Sequence, residues 1–117
     1  MVVKKLSDNE VDRIFQALAD ATRRDIVQRV MVQEQSVSDL ARAYTMSFAA
    51  VQKHVAVLER AQLITKERRG REQIVHGDPQ MLRRAAQLLD AYEEIWRARV
   101  DSIQKILDQD NVKGIES

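Results

Sequence analysis

Phe48, Ala49, Gln52, Lys53 and Ala56 fall on one side of a helix, and together they offer small surfaces, an amide, a cation and one aromatic ring. That combination suits the reading of base edges. Small residues let a helix approach the bases, and Gln and Lys supply the donors and acceptors that a major groove can pair with. A second set, Arg68, Arg69 and Arg71, surrounds Gly70 with no apolar neighbour to pack on. Guanidinium groups so placed suit phosphates or an adjacent minor groove; the alternative is a solvated, charged turn, and the neighbouring basic helix favours contact. Covalent chemistry finds no such support. No candidate nucleophile has a recognisable base and orienting partner, and the glycines at 70, 77 and 114 form no phosphate loop, so the chain reads as no enzyme.

The elements that must position these residues are legible on either side. Residues 36–61 form two short helices joined by a tight turn. Ser36 is placed to cap the first, with Asp39 three residues on, and Val37, Leu40, Ala41 and Tyr44 recur on one face. Thr45-Met46 breaks the pattern and Ser47 caps the second helix, whose Val51, Val55 and Leu58 share a narrow inward arc. This is the form of a DNA-reading helix-turn-helix. Residues 63–76 follow as a wing: Leu63 to Arg68 and Glu72 to His76 are β-compatible, and Gly70 permits the positive φ that a hairpin turn needs.

Two helices precede this unit. Ser7 with Glu10 makes a capping box before a stripe of Val11, Ile14, Phe15 and Leu18; Asp20 caps a second helix whose buried face is Ile26, Val27, Val30 and Met31. Gln33-Glu34-Gln35 ends it. Asp78-Pro79 then opens a last helix over 79–108, in which Leu82, Leu89, Trp96 and Ile103 recur every seven residues beside Ala85, Ala86, Tyr92, Val100, Ile106 and Leu107. At 1.5 Å per residue it is about 45 Å long, more than a domain of this size can cover. The surplus apolar stripe is expected to pair with a second copy of the chain. The dimer interface is therefore assigned to Leu82, Leu89, Tyr92, Trp96 and Ile103, together with Ile14 and Phe15 of the first helix. Residues 109–117 read as a frayed end.

Composition sets the outer bounds. The 117 residues suit a single winged helix-turn-helix domain over 1–117, mainly α with a small β-hairpin and long N- and C-terminal dimerisation helices. The absence of cysteine excludes disulfides and thiolate metal sites, and no apolar run is long enough for a membrane span or secretory signal. A soluble cytoplasmic protein with no membrane partner is expected. Net charge is +1, yet residues 42–71 carry seven Lys/Arg against two acids, a local +5, while the flanks are acidic. Positive potential thus sits on the reading head.

The order of elements and several strings resemble the ArsR/SmtB family of bacterial winged-helix transcriptional regulators, from about residue 10 to 107. The strings are Phe15-Gln-Ala-Leu-Ala-Asp-Ala-Thr-Arg-Arg24, Val37-Ser-Asp-Leu-Ala41, Met46-Ser47 with Val51-Gln-Lys-His-Val55 and Leu58-Glu59, and Gly70-Arg71. Tyr92-Glu-Glu-Ile-Trp96-Arg-Ala-Arg further resembles the branch that lacks the metal-sensing cysteines. The resemblance implies a homodimer that binds operator DNA and usually represses, with the helix after the turn in the major groove. It implies that Ser47, Phe48, Ala49, Gln52, Lys53 and His54 face DNA, and that Arg68, Arg69 and Arg71 hold flanking backbone or minor groove. Two departures stand out: Ala21 replaces the family's usual proline, and Gln62 replaces the glycine that turns the chain out of the reading helix.

Several assignments carry a competing reading. His54 lies at the edge of the inward arc, where packing is favoured over base contact. Phe48 can touch a thymine methyl or pack against the wing. Arg23 and Arg24, beside Asp20 and Asp25, read as structural ion pairs rather than phosphate ligands. Where thiolate sensors of the family carry Cys-Val-Cys, this chain has Ser36-Val37-Ser38, and both histidines precede the last helix, so neither known metal arrangement is available. No cofactor is expected. A small apolar inducer between the dimer helices is a further partner suggested by geometry alone. The alternative function is a winged-helix protein-interaction module, an anti-activator or scaffold that uses its basic face for an acidic protein.

Overall fold

Four serine and aspartate side chains start four helices. Ser7 accepts from the Glu10 amide while the Glu10 carboxylate accepts from the Ser7 amide, opening α1 (Asp8–Leu18). Asp20 accepts from the Arg23 amide at α2 (Ala21–Val32), Ser36 from Asp39 at α3 (Val37–Arg42), and Ser47 from Ala50 at α4 (Phe48–Arg60). Each satisfies an amide that the first turn cannot. Asp78 accepts from Gln80 at the start of α5 (Pro79–Glu116). Residues 6–116 are described by the computed structural model, with side chains up to residue 110.

Three strands complete the fold: β1 (Gln35–Ser36), β2 (Ile64–Arg69) and β3 (Glu72–Gly77), antiparallel in the order β1-β3-β2. The expected two-stranded wing is thus the outer part of a three-stranded sheet. Gln35 faces Val75 and Ser36 faces Ile74, so the end of the polar stretch after α2 becomes an edge strand. Gly70 turns the hairpin at φ +64°. Gly77 has a different reason, since a Cβ there would run into the Met31 side chain.

The core is assembled from α1 to α4, the sheet and the start of α5, around Ile14, Ile26, Leu40, Val51, Val55, Leu58, Leu63, Ile64 and Val75, with Met81 and Ala85 from α5. Two units are distinguished along the chain, one up to Ala85 and one from Ala86. The second consists of the remainder of α5, whose side chains from Leu89 to Asp110 are all exposed. No helix among the described residues is long and apolar enough to cross a membrane.

Four expectations need correction. Ile14, assigned to the dimer interface, is 1% exposed and belongs to the core, because α1 turns Ile14 and Ala17 inward and leaves Phe15 half exposed. Leu82 likewise packs against the core, one turn into α5. Helix α5 extends to Glu116 rather than to 108; a single Gly114 costs a helix only about 1 kcal/mol. Helix α3 is also shorter than read, so Tyr44 lies in the turn rather than on the helix.

The exit from α4 is where the missing glycine matters. Gln62 adopts φ +62°, its amide donates to the Glu59 carbonyl and the Leu63 amide to the Leu58 carbonyl, a Schellman closure with Leu58 and Leu63 both buried. A left-handed conformation costs an L-residue roughly 1–2 kcal/mol, of which the greater unfolded-chain freedom of glycine offsets about half. Gln62→Gly is therefore expected to stabilise the fold by about 0.5 kcal/mol, read as a higher urea midpoint with unchanged slope.

Candidate nucleic-acid interface

Helix α4 divides cleanly along its length. Val51, Val55 and Leu58 are at most 1% exposed and fix the helix on the core. Ser47, Phe48, Ala49, Gln52 and Lys53 are exposed on the opposite side, with Phe48 47% accessible and not packed under the wing. The side chains expected from the sequence to face bases are thus presented together, with one exception.

His54 is half-buried and engaged within the protein. Its Nδ1 lies 3.3 Å from the Arg23 guanidinium and 4.0 Å from the Asp20 carboxylate. Its inclusion among DNA-facing residues is corrected in favour of packing, because it joins α4 to the start of α2. Arg23 and Arg24 are structural as expected, but by another route than ion pairing with Asp20 and Asp25. Arg23 donates from Nε to the Ala17 carbonyl at 2.7 Å and from its terminal nitrogen to Gln16 at 2.9 Å, and Arg24 donates to Leu18 at 2.8 Å. The carbonyls left open at the end of α1 attract these cations. The Arg23 amide holds the Asp20 carboxyl below the usual carboxylate range.

Behind the helix-turn-helix, Asp25 accepts from the Tyr44 hydroxyl and from Arg29, whose guanidinium lies 5.6 Å from the Tyr44 ring centroid. The Tyr44 and Arg29 bonds hold the Asp25 carboxyl low, and burial with the Asp25 bond pushes the Tyr44 phenol up to about 12. From pH 10.0 to about 12 the folded state keeps a proton that the unfolded chain releases, so stability falls as pH rises through that window. An ultraviolet titration is expected to show a tyrosine ionising near pH 12, a step that Tyr44→Phe removes.

The wing arginines are not equivalent. Arg68 makes only a long 3.4 Å contact from Nε to the Gly70 carbonyl, and Arg71 has no partner among the described residues. Arg69, expected to stand free with them, instead points across the sheet. Its NH1 is 2.7 Å from Glu34 and its NH2 2.9 Å from Glu67. These carboxylates raise the guanidinium further above its ordinary value, and Arg69 holds the Glu34 carboxyl low. The face expected to carry +5 is trimmed elsewhere too. Arg42 pairs with Asp39 at 2.7 Å and Lys66 with Glu59 at 3.3 Å, the latter tying wing to reading helix. Lys53, Arg60, Arg68 and Arg71 are left without a carboxylate partner among the described residues.

Glu34 is the site residue that sequence reasoning missed, and Arg23 was read as structural but through ion pairs rather than through its bonds to the Ala17 and Gln16 carbonyls. Glu34 carried no signal because a two-residue strand has no periodicity; the carbonyl-capping role of Arg23 depends on the angle between α1 and α2.

Comparison with known proteins agrees with this geometry. The family described as "Bacterial regulatory protein, arsR family" matches residues 20–66, which run from the cap of α2 into β2. An HTH-type transcriptional regulator of Mycobacterium tuberculosis, Rv2034, is 33% identical over 99 residues, 85% of this chain and 90% of that one. The solved structure of an ArsR-like transcriptional regulator from Rhodococcus sp. RHA1 superposes with a TM-score of 0.75 at 30% identity, covering 84% of this chain and 92% of that one. The homodimeric winged helix-turn-helix DNA-binding domain Mb0332 of Mycobacterium bovis shares the fold, with a TM-score of 0.61 at 22% identity over 79% of this chain and 92% of that one.

Proposed function

The chain belongs to the arsR family of bacterial regulatory proteins, and from that premise we propose that it is a homodimeric repressor that binds an inverted-repeat operator. Two copies present two α4 helices to successive major grooves about one helical turn apart, and occupancy near a promoter obstructs polymerase. The observation that carries this reading is the division of α4: an apolar side locked into the core and an uncovered side of Ser47, Phe48, Ala49, Gln52 and Lys53. A helix presenting such a surface beside a wing with unpaired arginines fits a duplex. Pairing through the exposed stripe of α5 is supported by the half-exposed Leu89, Tyr92, Trp96 and Ile103, with Phe15 on α1, and by the homodimeric state of the Mycobacterium bovis domain. With no cysteine in the chain, the releasing signal does not reach it through thiolate-bound metal.

Gln52 and the wing arginines have different tasks in this reading. Gln52→Ala is expected to relax preference at one base position per half-site, about ten-fold in the ratio of correct to incorrect base, with the salt dependence unchanged. Selection from a randomised duplex library measures it. An unchanged preferred sequence in the variant would remove Gln52, and with it the proposed orientation of α4, from base reading.

A further inference from the structure

Two carboxylates, a guanidinium and an imidazole close a ring on one face of the three-stranded sheet. Glu67 and Arg69 are two apart on β2 and share a face, His76 stands opposite Thr65 on that face, and Glu34 directly precedes the Gln35–Val75 pair, which lays it beside His76. All three Arg69 guanidinium nitrogens are turned to carboxylates. Nε and NH2 lie 3.1 and 2.9 Å from Glu67 Oε1, and NH1 and NH2 lie 2.7 and 3.3 Å from the two Glu34 oxygens. His76 backs both carboxylates, with Nδ1 3.2 Å from Glu34 and Nε2 3.3 Å from Glu67, the second contact lacking hydrogen-bond alignment.

A phosphate asks for the same fork of donors that these carboxylates occupy. Arg69 can therefore neutralise a phosphate only by leaving Glu34 and Glu67. Resting on the DNA-binding reading above, we infer that Glu34 and Glu67 attenuate duplex affinity by withholding Arg69 from the phosphate backbone. The ring lies at the surface, where a competing anion reaches it, so its strength sets how much Arg69 adds to binding. Arg68, on β2, and Arg71, in the turn, carry no such restraint. A regulator that must release its operator gains from a wing whose grip is partial.

The test compares wild type, Arg69→Ala, the double variant Glu34→Gln/Glu67→Gln, and the triple variant that adds Arg69→Ala, each titrated onto a scrambled duplex across a salt series. Freed arginines on two wings should tighten the double variant on the order of ten-fold at low salt and steepen its log–log salt slope by about two. The triple variant should lose that gain, and Arg69→Ala in the wild-type background should change affinity less than about three-fold. These exposed pairs contribute little to stability, so all four proteins should keep the wild-type thermal midpoint. A gain that survives in the triple variant comes from lost negative charge and overturns the inference, as does a large loss from Arg69→Ala alone. If wild type binds the duplex with a normal salt slope and the double variant gains nothing, the inference alone fails. If no protein of the set binds any duplex, the DNA-binding reading fails with it.

Discussion

Replacing Leu89 and Trp96 together by glutamate is expected to yield a folded monomer whose affinity for an inverted-repeat duplex is lower by on the order of 100-fold or more. Leu89 is 51% and Trp96 61% exposed, and they recur with Tyr92 and Ile103 along a stretch of α5 whose side chains are exposed from Leu89 to Asp110. An apolar stripe of that extent is uncommon on a monomer surface. Burying each large side chain against a second copy contributes roughly 1.5–3 kcal/mol, whereas a glutamate in its place introduces a charge that the interface must desolvate. Binding loss follows because a dimer places its second reading helix at high effective concentration, a gain of roughly 10²–10⁴. The variant should still fold, since neither residue belongs to the core around Leu58 and Val75. Sedimentation velocity gives the oligomeric state and circular dichroism the helix content; an intact dimer would remove α5 from the interface.

Neutralising Arg68 and Arg71 together should weaken binding to every sequence alike, by on the order of 100-fold at moderate salt. Arg68 stands on β2 and Arg71 in the hairpin turn, both free of carboxylates, so nothing within the described residues competes with phosphate for them. In a dimer four cations are lost. At about 0.9 per contact, the log–log salt slope should become shallower by about three to four. The preferred sequence should not change, in contrast to Gln52→Ala. A loss confined to the preferred sequence would mean that these arginines read bases, and an unchanged slope would mean that the wing does not touch the backbone.

Much of this arrangement was legible in the sequence because its determinants are local. Ser7, Asp20, Ser36, Ser47 and Asp78 each cap the helix they were read to cap, since a cap needs only a short oxygen-bearing side chain and a neighbouring amide. Gln62 was legible for the opposite reason: a non-glycine residue at a helix exit shows where the backbone must turn left-handed. What escaped depends on elements distant in sequence. Ile14 and Phe15 are adjacent apolar residues, and only the angle at which α1 meets α2 and α4 buries the first and exposes the second. Arg69 looked like its neighbours until Glu34, 35 residues away, was brought beside it by an edge strand too short to show a pattern. His54 was read as packing in preference to base contact, but its partner, the Arg23 side chain from the start of α2, could not be named from the sequence.

Fluorescence anisotropy of the pure protein on the duplex upstream of its own coding sequence, against a scrambled duplex of equal length, tests the proposed DNA recognition most directly. Titrations at about 50 and 200 mM salt, with and without chelator, should show tighter binding to the upstream duplex by at least about 10³, steep loss of affinity with salt, and no effect of chelator. Equal affinity for both duplexes, or binding that ignores salt, would contradict it and turn attention to the basic face as a surface for an acidic protein.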